Sequence, residues 1–153
     1  MNTDNKQLVR RWFEEVWNQG RESTIDELLS PGAIGFGLAA TETKVHGAPE
    51  FKPFVRNFRN AFPDMHFVIE DMVAEGDKVA VRLRVTGTHK GGGLGIAPTG
   101  RRIDIGAITI IQFANGKLSH GWNNWDQLGM MQQLGMARGP MDMDQLLDKD
   151  RPS

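Results

Sequence analysis

Residues 78–86 read Lys-Val-Ala-Val-Arg-Leu-Arg-Val-Thr. Val79, Val81, Leu83 and Val85 alternate with Ala80, Arg82, Arg84 and Thr86. A period of two places the two sets on opposite faces of a strand, one toward a core and one toward water. Strands of this kind build antiparallel sheets covered on one side. His66 to Ala74 reads as the strand before, with Glu75-Gly76-Asp77 as the hairpin turn between them. Beyond a glycine-rich loop from Lys90 to Gly100, Arg101 to Phe113 is a long strand. It carries Ile103, Ile105, Ala107, Thr109, Ile111 and Phe113 on one side. Ala114-Asn115-Gly116-Lys117 is a second hairpin turn with a strong Asn-Gly signal. Leu118 to Asp126 is the last strand, followed by a short helix from Gln127 to Leu134 that Gly135 ends.

Upstream the period is helical. Leu8, Val9, Trp12, Phe13, Val16 and Trp17 share one face of a helix that Thr3 can cap and Gly20 ends. Ser23-Thr24-Ile25-Asp26 has the form of a capping box and opens a short helix that stops at Ser30-Pro31. Ala33 to Leu38 is a strand candidate. Gly47-Ala48-Pro49 opens a third helix whose apolar face is Phe51, Phe54, Val55, Phe58 and Phe62, and Pro63 ends it. Helices first and an antiparallel meander afterwards predict an α+β fold.

The chain has 153 residues, enough for one domain with a core of its own. It has no cysteine, which removes disulfides, thiolate nucleophiles and Cys-ligated metals. It has no tyrosine either, which leaves His, Asp, Glu, Lys, Arg, Ser and Thr as candidate catalytic groups. A net charge of −1 gives no reason to expect nucleic acid or an anionic membrane as partner. The N-terminus lacks the apolar stretch of a secretory signal and no membrane span is visible, which predicts a cytoplasmic protein. The segment 136–153, with Gly139-Pro140 and an Asp-rich run, is expected to be a tail held loosely or docked on a partner subunit.

Most motifs fail on spacing. The glycines of residues 91–100 do not form G-x-G-x-x-G. The Gly95-to-Gly100 interval is followed by Arg101-Arg102, where a phosphate loop needs Lys-Ser/Thr. A flexible loop at the rim of a site is the plainer reading. His46, His66, His89 and His120 include no helical zinc pair, so a metal needs the fold to gather His89, His120 and Asp126. Ser119 and His120 face opposite ways on a regular strand, which argues against a triad with Asp126. Arg82 and Arg84 read as a solvated or subunit-facing stripe before they read as an anion clamp.

The stretch from Gly116 to Gly135 is the most informative for chemistry. On a regular strand, His120, Trp122, Asn124 and Asp126 share a face. An acid in that setting can be a desolvated proton-transfer group. From local sequence alone, the plainer reading of Asp126 is the N-cap of the helix that begins at Gln127.

This segment resembles the SnoaL-like polyketide cyclases, also labelled ester cyclases, of the nuclear transport factor 2-like superfamily. The resemblance rests on Gly116-Lys117-Leu118, Trp122, Asp126, Leu128-Gly129 and Gln133-Leu134-Gly135. It extends to Ala61-Phe62-Pro63-Asp64, Gly76 to Arg82, Gly87-Thr88-His89 and Pro98-Thr99-Gly100, and covers residues 4–135 as a single domain. It implies a cone in which N-terminal helices pack inside a curved antiparallel sheet around an apolar pocket. It implies dimers or higher homo-oligomers through the outer sheet face. It also implies an intramolecular aldol condensation in which a pocket Asp is the acid/base and no metal or organic cofactor takes part. Asp126 aligns with that Asp; His89, His120 and Asn124 are assistants by residue type only.

The expected substrate is therefore a small apolar carbonyl or ester compound. Trp12, Phe54, Phe58 and Trp122 would form walls beside Asn124, with Asp126, His89 and His120 carrying the chemistry. A binding protein without chemistry is the alternative. A weaker one is an epoxide hydrolase, in which Arg102 or Arg82 would stand between Asp104 and Asp126.

Overall fold

The computed structural model describes residues 2–39 and 44–137. Helix α1 (Asn2–Arg11) runs on into a wider π-helical stretch (Trp12–Asn18), followed by α2 (Glu22–Leu28), β1 (Leu29–Phe36), β2 (Lys44–His46) and α3 (Gly47–Ala61). Then come β3 (His66–Glu75), β4 (Lys78–Thr88), β5 (Arg102–Ala114), β6 (Lys117–Trp125) and α4 (Gln127–Gln133). The strands form one sheet in the order β2-β1-β6-β5-β4-β3. From β3 to β6 it is the expected antiparallel meander. β1 adds to β6 in parallel and pairs with β2 antiparallel, an extension the local patterns did not indicate.

The alternation in β4 survives intact. Val79, Val81, Leu83 and Val85 are buried, opposite Ile111, Thr109, Ala107 and Ile105 of β5. The N-terminal helix lays Val9, Trp12, Phe13, Val16 and Trp17 onto this inner face. A π-helical turn is wider than an α turn, and here it brings all four apolar residues of the 12–18 stretch inward. Trp17 then meets Phe51, Phe54 and Phe58 of α3 edge-on, with ring centroids 6.1, 6.2 and 6.4 Å away. Helices thus pack inside a curved sheet, an α+β cone with its core on the concave side.

The outer face carries an ion lattice. Glu70, the extra residue of a bulge in β3, reaches Arg82 at 3.0 Å and Arg84 at 3.5 Å, and Arg84 also reaches Asp104. Val73, Ile108, Val68 and Ile110 stand exposed around it.

Three local expectations change. Helix α2 starts at Glu22 after Arg21, and Ser23 does not cap it. The Thr24 hydroxyl instead donates to Glu15 of the preceding helix at 2.8 Å, a tertiary partner outcompeting the local one. β1 begins at Leu29 rather than Ala33. Its ladder skips from Leu29 to Ile34, so Pro31 lies where no strand hydrogen bond is required. The glycine-rich loop is docked rather than free: Lys90 and Gly91 N–H groups both donate to the Ala61 carbonyl. A Cβ at Gly91 or Gly93 would run into the Asn60 or Asn57 carbonyl of α3, so close backbone approach explains these glycines. Of the tail 136–153, all but Met136 and Ala137 lies outside the described residues. Among the described residues no helix is long and apolar enough to cross a membrane.

Glu15 ties the first two helices together. Arg11 bonds it at 2.8 Å, Thr24 at 2.8 Å and Arg21 at 3.1 Å. The Arg11 and Thr24 hydrogen bonds hold its carboxyl down to about 2. A depressed carboxylate stabilises the fold above its unfolded-state pKa of 4.5, and that stabilisation is lost as pH falls toward about 2. Urea unfolding of wild type and Glu15→Gln should therefore differ most at neutral pH, with wild type the more stable. The gap should close as the solution is acidified through this window. A gap that does not change with pH would contradict the assignment.

Candidate functional site

One residue decides which face of β6 looks inward. Phe113 pairs with Leu118, but the next residue back, Gln112, pairs with His120. Ser119 is therefore the extra residue of a β-bulge, and its hydroxyl donates to the Gln112 carbonyl at 3.1 Å. Leu118 is buried, so a regular strand would turn residues 120, 122 and 124 inward with it. The bulge moves the phase by one residue. Gly121, Asn123 and Trp125 now oppose the inward Ile111, Thr109 and Ala107. His120, Trp122 and Asn124 oppose Gln112, Ile110 and Ile108, with Ile108 and Ile110 exposed on the outer face.

A cavity opens between this inner face and the helices. Its aromatic walls include Trp12, Trp17, Phe51, Phe54, Phe58 and Trp125. Phe58 meets Trp125 edge-on at 5.8 Å, which joins the helical wall to the sheet. Ile103, Ile105, Leu83 and Val85 line the sheet side. Polar groups on the inward strand positions are few. The Trp125 indole N–H donates to the Leu38 carbonyl at 3.1 Å and the Asn123 amide to the Phe36 carbonyl at 2.9 Å. Thr109 is buried among them. Asn123 and Trp125 went unnoticed as site residues because the bulge has no signature in local periodicity; the face of Thr109 was legible, but nothing local marked it as a site residue.

Trp12, Phe54 and Phe58, anticipated as walls, line the cavity. Trp122 does not: it is 37% exposed and stacks outside between Phe36 at 5.9 Å and His120 at 5.7 Å. Asn124 and His120 border the cavity, but the register turns their side chains to the outer face. The bulge also brings the neighbours Ser119 and His120 together, with Oγ 3.2 Å from Nδ1, where a regular strand would separate them.

His89 is completely buried and is not among the cavity-lining residues. Its Nδ1 accepts the Thr99 backbone N–H at 3.1 Å, and its ring lies 5.4 Å from Phe62. It closes the base of the glycine-rich loop. Just before it, Thr88 donates from backbone and hydroxyl to Asp64 at 2.7 and 2.8 Å, which holds the Asp64 carboxyl below its usual range.

Asp126 follows the last residue of β6. Its Oδ1 accepts the Gly129 N–H at 2.8 Å, making it the N-cap of α4, and the residue is exposed. It is not among the cavity-lining residues, although Trp125 before it and Met130 after it are. Among the described residues no three His, Cys, Asp or Glu converge on a metal position, so His89, His120 and Asp126 are not gathered. The epoxide hydrolase arrangement is not formed either. Arg82, Arg102 and Asp104 lie at outer-face register positions, because their strand partners alternate with the buried valines and isoleucines.

Comparison with known proteins agrees with this architecture. Residues 7–134 match the family model described as SnoaL-like polyketide cyclase. The chain is 30% identical over 133 residues to the aklanonic acid methyl ester cyclase AcmA of Streptomyces galilaeus, covering 83% of this chain and 88% of that one. It is 28% identical over 129 residues to the aklanonic acid methyl ester cyclase DnrD of Streptomyces peucetius, covering 84% and 88%. The solved structure of TsrD from Streptomyces laurentii superposes with a TM-score of 0.79 at 26% identity, covering 90% of this chain and 98% of that one. With a family match across nearly all of the cone, the chain belongs to the SnoaL-like polyketide cyclase family.

Proposed function

We propose that this chain closes a ring in a small, largely apolar keto ester that the aromatic cavity holds, with Asp126 as the acid/base. That cavity is the observation that carries the reading: its aromatic walls suit a flat polycyclic compound, and few polar groups compete for it. The relatives named as aklanonic acid methyl ester cyclases support the substrate class. In the proposed reaction Asp126 takes a proton from the carbon beside the ester carbonyl. The resulting carbanion attacks a ketone carbon of the same molecule, a carbon–carbon bond forms, and the carbonyl π pair moves onto oxygen. Asp126 then returns the proton to that alkoxide. Only protons and electron pairs move, so substrate and product are isomers and no metal or organic cofactor is called for.

The test is incubation with aklanonic acid methyl ester, following the mixture by liquid chromatography and mass spectrometry. The expected result is a new compound of unchanged mass that accumulates with enzyme concentration. A second reading, a binding pocket without chemistry, is favoured by one observation: Asp126 is exposed and one of its oxygens already serves the α4 cap. Saturable binding of the ester with no isomeric product would decide for it.

A further inference from the structure

Thr109 occupies the middle of β5 on the inward side, with 3% exposure, and its hydroxyl has no hydrogen-bond partner among the described residues. An unpartnered buried hydroxyl works against folding, and valine would fill the same shape without that cost. Asn123 lies directly opposite it across the β5–β6 pair. One amide N–H of Asn123 is committed to the Phe36 carbonyl, which fixes the amide plane and leaves a second N–H. Ala107 is the pair's inward neighbour on β5 and Gly121 on β6. Each small inward neighbour of the pair faces a bulky one: Ala107 faces Trp125, and Gly121 faces Ile111. A Cβ built on Gly121 would find only the Asn123 amide nitrogen within contact distance, at 3.7 Å. Thr109 and Asn123 thus place two hydrogen-bonding side chains side by side on the cavity-lining face of the sheet.

We propose that Thr109 and Asn123 form an anchor for a carbonyl oxygen of the ligand. This rests on the cavity being the substrate site, as read above, and adds which residues hold the polar part of the substrate. A hydroxyl and an amide N–H can both donate, so the pair suits an acceptor oxygen: a ketone, or the enolate or alkoxide oxygen derived from it. Bound there, the oxygen supplies the partner that the Thr109 hydroxyl lacks. The apolar walls leave the rest of the molecule to shape complementarity.

Two probes separate the anchor from the cavity: methyl naphthoylacetate, and methyl naphthylpropanoate, in which the ketone is replaced by a methylene. Affinities are measured by calorimetry on the full chain. Wild type should prefer the ketone, and Thr109→Val should reduce that preference by about five- to tenfold, the worth of one neutral hydrogen bond. Thr109→Ser, which keeps the hydroxyl, should retain most of it. Without ligand, Thr109→Val should melt above wild type, since it removes an unpartnered buried group. If wild type binds both probes equally, or Thr109→Val keeps the preference, the cavity reading stands and the anchor is wrong. A lower melting temperature for Thr109→Val would mean that the hydroxyl serves the fold, which also overturns the anchor. If wild type binds neither probe, the cavity reading fails and the anchor fails with it.

Discussion

Asp126→Asn should lower the rate of ring closure by about 10²- to 10⁴-fold, the usual contribution of a positioned general acid/base. The same substitution should leave stability unchanged. Asparagine caps a helix as well as aspartate, so its side-chain oxygen can still accept the Gly129 N–H that Asp126 now binds. The variant thus removes the proton-transferring group and keeps the structural one. Asp126→Ala removes both and should also lose about 1 kcal/mol of stability. The pair of variants, assayed for isomer formation and for denaturant midpoint, separates the two roles that one carboxylate holds here. Wild-type turnover by Asp126→Asn would end its assignment as acid/base. A shifted midpoint in that variant would instead mean that the cap depends on charge, as interaction with the helix dipole would make it.

Trp17→Ala should cost about 3–5 kcal/mol, a large share of the roughly 5–15 kcal/mol that holds a domain of this size together. Trp17 is 6% exposed and touches Phe51, Phe54, Phe58 and Phe67, so it joins the N-terminal helix to both α3 and β3. Its carbonyl also receives the Arg59 guanidinium at 2.6 Å, which pins α3 to the same point. Truncation leaves a void that four rings cannot fill without leaving their rotamers. Trp17 lines the cavity, so ligand affinity should fall along with stability. Trp17→Phe keeps a ring in place and should lose much less of both. Guanidinium unfolding of the two variants checks this, and a loss below about 1 kcal/mol for Trp17→Ala would show that the aromatic cluster is not what positions the helices.

The sequence alone determined the elements and the inward face of most of them. Val79 to Val85 alternate with more polar residues, and burial in both β4 and β5 has a period of two, although Ile108 and Ile110 make the outer face of β5 partly apolar. The phenylalanines of α3 fall three and four apart, and Phe51, Phe54 and Phe58 face the cavity. Asn115-Gly116 adopts positive φ at both positions, 53° and 75°, as its turn chemistry requires. Each of these depends on residues close in the chain.

What only the tertiary structure decided depends on distant partners. Ser119 makes a bulge because the Gln112 carbonyl on the neighbouring strand accepts its hydroxyl. That single extra residue sends Trp122 and Asn124 outward and brings Asn123 and Trp125 in. Side chains on a strand have a period of two, so an uneven count across one hairpin reverses every later position, and no local pattern records it. Asp126 differs, because its partner lies only three residues on. Its type and spacing allowed both a cap and an acid, and the position of Gly129 committed one of its oxygens to the cap. β1 joined β6 in parallel after a connection through α3 and four strands returned the chain beside it, a pairing set by packing rather than by sequence period.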